Sequence, residues 1–139
     1  MLALARERSA FAVSVDALAR AEGLPRKFLE AIMFDLRVAG LVHATRGQRG
    51  GYILASPASR ISLGRIIRAV DGGVAPTPCV SASSYSPCAD CGEEMSCVVR
   101  PLMKEIREAI SRVIDEKTLA ALAHETEPLL RGRNLDFHI

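Results

Sequence analysis

The feature that most restricts the fold is a pair of short amphipathic helical stretches joined by a single turn and followed at once by a glycine-rich hairpin. Ser14 suits a helix N-cap, Val15, Leu18 and Ala19 follow at helical spacing, and Gly23 stops the run. Pro25 suits a first helical position, after which Phe28, Leu29, Ile32, Met33 and Leu36 fill one face of a second helix reaching about Ala39, with Gly40 as its stop. Two helices joined by a tight glycine-containing turn make a helix-turn-helix. The run Leu41–Arg46, then Gly47-Gln48-Arg49-Gly50-Gly51, then Tyr52–Leu54 reads as strand, turn and strand. A hairpin in that position is a wing.

Charge points the same way. The net charge of +2 conceals a split: residues 1–70 hold 11 Lys and Arg against 5 Asp and Glu, a balance of +6, while residues 71–139 hold 7 against 11, a balance of −4. A basic first half suits a polyanion. Arg26 and Lys27, at the start of the second helix of the motif, are candidates for the major groove, where recognition helices present their N-terminal residues to base edges. Arg46, Gln48 and Arg49 at the hairpin tip are candidates for the DNA backbone or minor groove. The alternative for all of these is an ordinary solvated surface.

At 139 residues the chain has room for about one ordinary domain with an appended arm. Leu2 to Val13 is compatible with part of a helix. Ser56–Arg60 is a polar connector, and Ser62 caps a helix that turns Leu63, Ile66, Ile67 and Val70 inward. From Val74 to Ser96 periodicity is lost and Pro76, Pro78 and Pro87 gather, which marks a long loop. Pro101 opens a long helix with Leu102, Met103, Ile106, Ile110, Val113 and Ile114 at spacings of three and four. Its apolar stripe needs a partner, and a second copy in a two-fold dimer supplies one; the alternative is that it folds back on its own core. Thr118 caps a short helix with Leu119 and Leu122. The fold expected is mainly α: a winged helix-turn-helix domain over 1–72, a cysteine-containing sensor loop over 73–97, a dimerisation helix and short following helix over 98–126, and a flexible tail over 127–139.

All four cysteines, Cys79, Cys88, Cys91 and Cys97, fall in that loop, in the pattern C-x8-C-x2-C-x5-C. Zinc takes four thiolate or imidazole ligands, and the two-residue gap between Cys88 and Cys91 is common at zinc sites. Iron–sulfur clusters use three or four cysteines from one short segment as readily. A thiol switch and inert cysteines are the remaining readings, and spacing alone does not choose among the four. No stretch approaches the roughly 18 uninterrupted apolar residues of a membrane helix, and the first residues are broken by Arg6, Glu7 and Arg8, so a cytoplasmic protein with no membrane partner is expected. An enzyme is not expected. Cys88 and Cys91 lack the strand-then-helix setting of a thioredoxin-like pair, and His43, His124 and His138 stand apart from any nucleophile.

The run Leu36–Val42 with Arg46–Leu54, then Ile61-Ser62-Leu63, Ile66–Gly72, the cysteine loop and Thr118–Leu122 resembles the signature of the Rrf2 family of bacterial winged-helix repressors, of the IscR, NsrR and RirA type. The resemblance covers nearly the whole chain in order. It implies a homodimeric regulator, in all expectation a repressor, bound to a double-stranded DNA operator, with the helix from Pro101 as the dimer contact. It also implies that loop cysteines hold an iron–sulfur cluster that senses iron, cluster supply, nitric oxide or redox state, with zinc or no cofactor as the alternatives. Cys79, Cys91 and Cys97 match the family's three cysteines; Cys88 is additional and serves as a replacement or fourth ligand. Family members usually begin about a dozen residues earlier, with a segment that in some supplies a further ligand. The position three after the last cysteine, a histidine ligand in IscR, is Arg100, which cannot coordinate a metal.

Overall fold

The computed structural model describes residues 1–7, 11–47, 50–89 and 91–130. It is mainly helical, with a single two-stranded antiparallel sheet among the described residues. The helices are α1 (Leu2–Arg6), α2 (Val15–Glu22), α3 (Arg26–Val38), α4 (Leu63–Asp71), α5 (Arg100–Glu116) and α6 (Leu119–Leu130), and the strands are β1 (Val42–Thr45) and β2 (Gly51–Leu54). No helix among the described residues is long and apolar enough to cross a membrane. The chain divides into two compact units, one formed by Met1–Ile61 with the segment from Thr118 onward, the other by Ser62–Lys117. That division differs from the segments drawn on the sequence: α4 groups with the loop and α5, and α6 returns to the N-terminal unit.

In the first unit the helix-turn-helix forms as its caps dictate. The Ser14 hydroxyl accepts the Ala17 amide at 3.2 Å, and Gly23 closes α2 in the left-handed region at φ +65°. Gly40 does the same beyond α3 at φ +67°. Leu18 and Ala19 of α2 and Leu29, Met33 and Leu36 of α3 are buried, joined by Leu41, Val42 and Ile61. Two residues depart from expectation. Phe28 is 57% exposed rather than buried, because it lies on the flank of α3, about a quarter turn from the line of Leu29, Met33 and Leu36. Ile32 is half-buried.

The hairpin pairs Val42 with Leu54, His43 with Ile53, Ala44 with Tyr52 and Thr45 with Gly51. Leu2–Val13 is not one helix: α1 ends at Arg6, and Val13 instead bridges Tyr52 antiparallel, through hydrogen bonds from Val13 N to Tyr52 O at 3.0 Å and from Tyr52 N to Val13 O at 2.8 Å. Val13 thus stitches the wing to the residue that caps α2. The last helix also exceeds expectation, running to Leu130 rather than ending near Thr126. Arg6 holds it, donating from Nη2 to Thr126 Oγ1 at 2.6 Å, a partner 120 residues away that periodicity cannot reveal. Residues 131–139, most of the expected tail, lie outside the described residues.

The second unit packs α4 on α5. Ser62 caps α4 by accepting the Arg65 amide, Gly64 is its buried residue, and Arg68 pairs with Asp115 of α5. Val70, expected to face inward, is exposed in the last turn of α4, just before the helix ends at Asp71 and Gly72. Between the helices the chain makes short 3-10 turns at Pro78–Val80 and Glu94–Ser96 within otherwise irregular backbone, as the proline content requires.

Candidate nucleic-acid interface and thiol pocket

In the first unit, α3 presents its N-terminal turn at the surface, and the wing follows directly. Arg26 and Lys27 are both exposed there, but they differ. The Arg26 guanidinium sits between two carboxylates, 3.0 Å from Asp16 of α2 and 2.8 Å from Glu30 one turn on, which raises its pKa further above the ordinary arginine value, first through the hydrogen bond to Glu30. It therefore links the two helices of the motif with its charge matched. Lys27 takes part in none of the ion pairs among the described residues. Arg46 is exposed just after β1. Gln48 and Arg49 lie outside the described residues. Residue type and position gave Arg26 as a candidate, and only the fold shows Asp16 close enough to hold it.

In the second unit the four cysteines, scattered over nineteen positions of sequence, converge. Cys79, Cys88, Cys91 and Cys97 line one pocket of about 120 Å³, with Pro87, Gly92, Glu94 and Arg100 completing its wall. Each is placed by a local device. Cys79 is buried in the Pro78–Val80 turn, which Arg107 of α5 anchors by donating to the Val80 carbonyl at 2.9 Å. The Cys91 amide donates to the Cys88 carbonyl at 3.2 Å, a tight turn that brings this pair together. Cys97 closes the Glu94–Ser96 turn, its amide on the Glu94 carbonyl.

Glu94 fastens the loop. One of its oxygens accepts from Tyr85 and the other pairs with Arg100 Nη2 at 2.6 Å, so a residue before Cys88 and the first residue of α5 are tied to one carboxylate. This pulls the Tyr85 pKa up, chiefly through the hydrogen bond to Glu94. Neither Glu94 nor Tyr85 is singled out by sequence, since carboxylates and tyrosines are ordinary in loops.

The thiols are unequal. The Thr77 hydroxyl, 3.4 Å from Cys79 Sγ, stabilises the Cys79 thiolate and is the main reason its pKa falls, with smaller help from the Cys88 thiol and Arg100 against the opposing effect of burial. Cys88 is pushed up to about 11, first by its hydrogen bond to Cys79 and then by burial and the nearby charges of Cys79 and Cys91. Of the two, Cys79 is therefore the thiol that gives up its proton first.

Among the described residues no three His, Cys, Asp or Glu side chains are already grouped at metal-holding separation. The donor set nonetheless fits a thiolate-held centre: four cysteines line one small cavity, and Arg100, on its wall, has a buried Nε with no hydrogen-bond partner. A cation with an unspent donor beside clustered thiols suits a negatively charged occupant.

The chain matches, over residues 1–125, the Rrf2 family model described as an iron-dependent transcriptional regulator. It is 40% identical over 115 residues to an rrf2-like HTH-type transcriptional regulator of Rhodobacter capsulatus, covering 83% of this chain and 77% of that protein. CymR (YrzC), the global cysteine regulator of B. subtilis, superposes with a TM-score of 0.70 at 33% identity, covering 91% of this chain and 88% of that one. IscR from T. potens gives 0.69 at 28% identity, covering 99% and 87%.

Proposed function

The chain belongs to the Rrf2 family of transcriptional regulators, and from that premise we propose that it is a homodimeric DNA-binding repressor, acting in the cytoplasm, whose operator affinity is set by the state of its cysteine pocket. The observation that carries the sensing part is the convergence of Cys79, Cys88, Cys91 and Cys97 with Arg100 on one cavity at the foot of α5. Its relatives are transcriptional regulators rather than enzymes.

On the DNA side, Lys27 meets the major groove, and Arg46, Gln48 and Arg49 of the wing meet phosphates or the minor groove. Arg26 has a double role. Its pairing with Asp16 and Glu30 holds the motif's two helices in register, and it reaches DNA only by exchanging those carboxylates for phosphate or base. The dimer forms along α5, where Leu102, Ile110 and Val113 leave an exposed apolar stripe that a second copy covers. A two-fold dimer fixes the spacing of its two recognition helices, and operator half-sites demand that spacing.

The four cysteines would hold the cofactor. An iron–sulfur cluster, when bound there, supplies a centre that responds to iron supply, oxidants and nitric oxide. The protein's own residues do the rest: Thr77 eases the ionisation of Cys79, Glu94 holds the loop closed, and Arg100 offsets negative charge. Because the pocket wall includes the first residue of α5, a change in the pocket is delivered to the dimer helix. A second reading, in which the thiols themselves are oxidised or hold zinc, draws on the unequal Cys79 and Cys88.

Two measurements test this. Protein purified without oxygen is analysed for iron, sulfide and zinc per chain: matched iron and sulfide support the cluster, stoichiometric zinc or no metal the second reading. Gel-shift titration tests the interface. Arg46→Ala and Arg49→Ala weaken binding to all sequences alike and flatten its salt dependence, whereas Lys27→Ala changes sequence preference. Unaltered operator affinity in all three contradicts the docking.

A further inference from the structure

The face of α3 that looks away from the core is apolar in a way DNA contact alone does not require. With Leu29, Met33 and Leu36 buried, about 100° of turn per residue places Lys27, Ala31, Phe34 and Val38 on the opposite side. All four are exposed; Phe34 retains 54% and Val38 71% of its surface. Phe34 is also held in place, since the Arg37 guanidinium lies 5.3 Å from its ring centroid. Arg37 joins none of the ion pairs among the described residues. The strip is therefore an apolar face with an aromatic ring beneath a guanidinium, flanked by Lys27 and Arg37, which join none of the ion pairs among the described residues, and by one exposed carboxylate, Asp35, so its margin is net positive. That combination matches a polyanion with an apolar group inside its groove.

In the major groove that group is the C5-methyl of thymine, since the other base edges there present hydrogen-bond donors and acceptors. We propose that Phe34 is a specificity-determining residue that packs on a thymine methyl group in each operator half-site, with Arg37 steadying the ring. The inference rests on the DNA-binding reading above and adds what α3 reads: an A·T pair in defined orientation, selected by an apolar contact. A solvated surface helix gains nothing from an aromatic ring at this position, and Phe34 contributes nothing to the buried line of α3.

The test begins with DNA selected from a random pool by the wild-type protein. Each thymine is then replaced by deoxyuridine, which removes only the methyl group, and affinities are measured for wild type, Phe34→Ala and Phe34→Leu. At one symmetric pair of thymines the wild type loses roughly fourfold per half-site, the worth of one buried methyl. Phe34→Ala loses about as much on unmodified DNA and no longer distinguishes thymine from uracil there, and Phe34→Leu keeps part of the preference. Thermal unfolding of both variants near that of wild type shows that they fold. A wild type indifferent to every thymine-to-uracil change, or a Phe34→Ala that keeps the full preference, overturns the proposal. A wild type that selects no sequence at all overturns the DNA-binding reading itself, a failure distinct from either of these.

Discussion

Adding one methyl group at Gly51 should destabilise the protein and misplace the wing. A Cβ there would stand 2.5 Å from the Val13 carbonyl carbon and 2.8 Å from the Ser14 amide nitrogen, with the Val13 oxygen closer still. These are backbone atoms, so no side-chain rotation relieves the clash. The Gly51 φ is not in the left-handed region. Conformation alone would therefore make Gly51→Ala stabilising, by about 0.4–1 kcal/mol through the unfolded chain. Against this, relief needs a shift of roughly 1 Å, which opens the two Val13–Tyr52 hydrogen bonds at about 0.5–1.5 kcal/mol each and strains the packing by about 1–3 kcal/mol. The balance is a loss of about 1–6 kcal/mol, or a fall in Tm of roughly 4–24 °C. Gly40→Ala is the control: φ is +67° and nothing lies within 4 Å of the added atom, so it costs about 1 kcal/mol of backbone strain, and Gly40→Asn recovers part of that. Circular dichroism melts read both. Because Ser14 caps α2, Gly51→Ala should also weaken DNA binding beyond its stability loss, whereas Gly40→Ala should not. A Gly51→Ala protein as stable as wild type, or more so, refutes the close approach of Val13 to the wing.

Further outcomes follow from the second unit. Val113→Glu or Leu102→Glu places a charge on the exposed stripe of α5, and light scattering should then give the 15.0 kDa monomer in place of a species of twice that mass; an unchanged mass contradicts the α5 dimer. In metal-free protein, thiolate absorbance should rise in separate steps, with Cys79 lowered from its ordinary value and ahead of Cys88, which follows at about 11. Thr77→Val should move the Cys79 step to higher pH, because the hydroxyl that favours the charged form is gone; no movement refutes that role. Glu94→Ala should release Tyr85 and Arg100 together, so amide exchange across residues 85–100 accelerates while α4 and the body of α5 stay protected. Equal protection in the variant contradicts the fastening of the loop.

Much of the fold is legible in local chemistry. Ser14, Ser62 and Thr118 cap helices where hydroxyl residues precede apolar periodicity, and Gly23 and Gly40 end them where only a residue without a side chain adopts the left-handed conformation cheaply. The wing is legible because strand, glycine run and strand follow within fourteen residues, from Leu41 to Leu54. What escapes is settled at long range. Val13 becomes strand-like only because Tyr52 is there to pair with it, and Thr126 of α6 meets Arg6, a partner 120 residues away that local pattern does not encode. The candidate site shows the same division. Cysteine clustering in sequence marks the pocket, but the roles of Thr77, Glu94 and Arg100 show only in the hydrogen bonds and ion pair they make, and the Arg107 anchor on Val80 comes from 27 residues away. Phe28 shows a limit of periodicity, because an apolar residue one position off the buried line of α3 looks in sequence like part of the core.

The central claim is that the state of the cysteine pocket governs operator affinity, and it is tested most directly by one titration. Protein prepared without oxygen binds labelled operator before and after treatment with nitric oxide or peroxide, with iron, sulfide and free thiols counted in each sample, for wild type and Cys97→Ser. The account predicts that wild-type affinity changes by about tenfold or more, within the usual range of coupling free energies, while Cys97→Ser holds one affinity throughout. Wild-type affinity that stays within about twofold, when the counts prove that the pocket has changed, contradicts it.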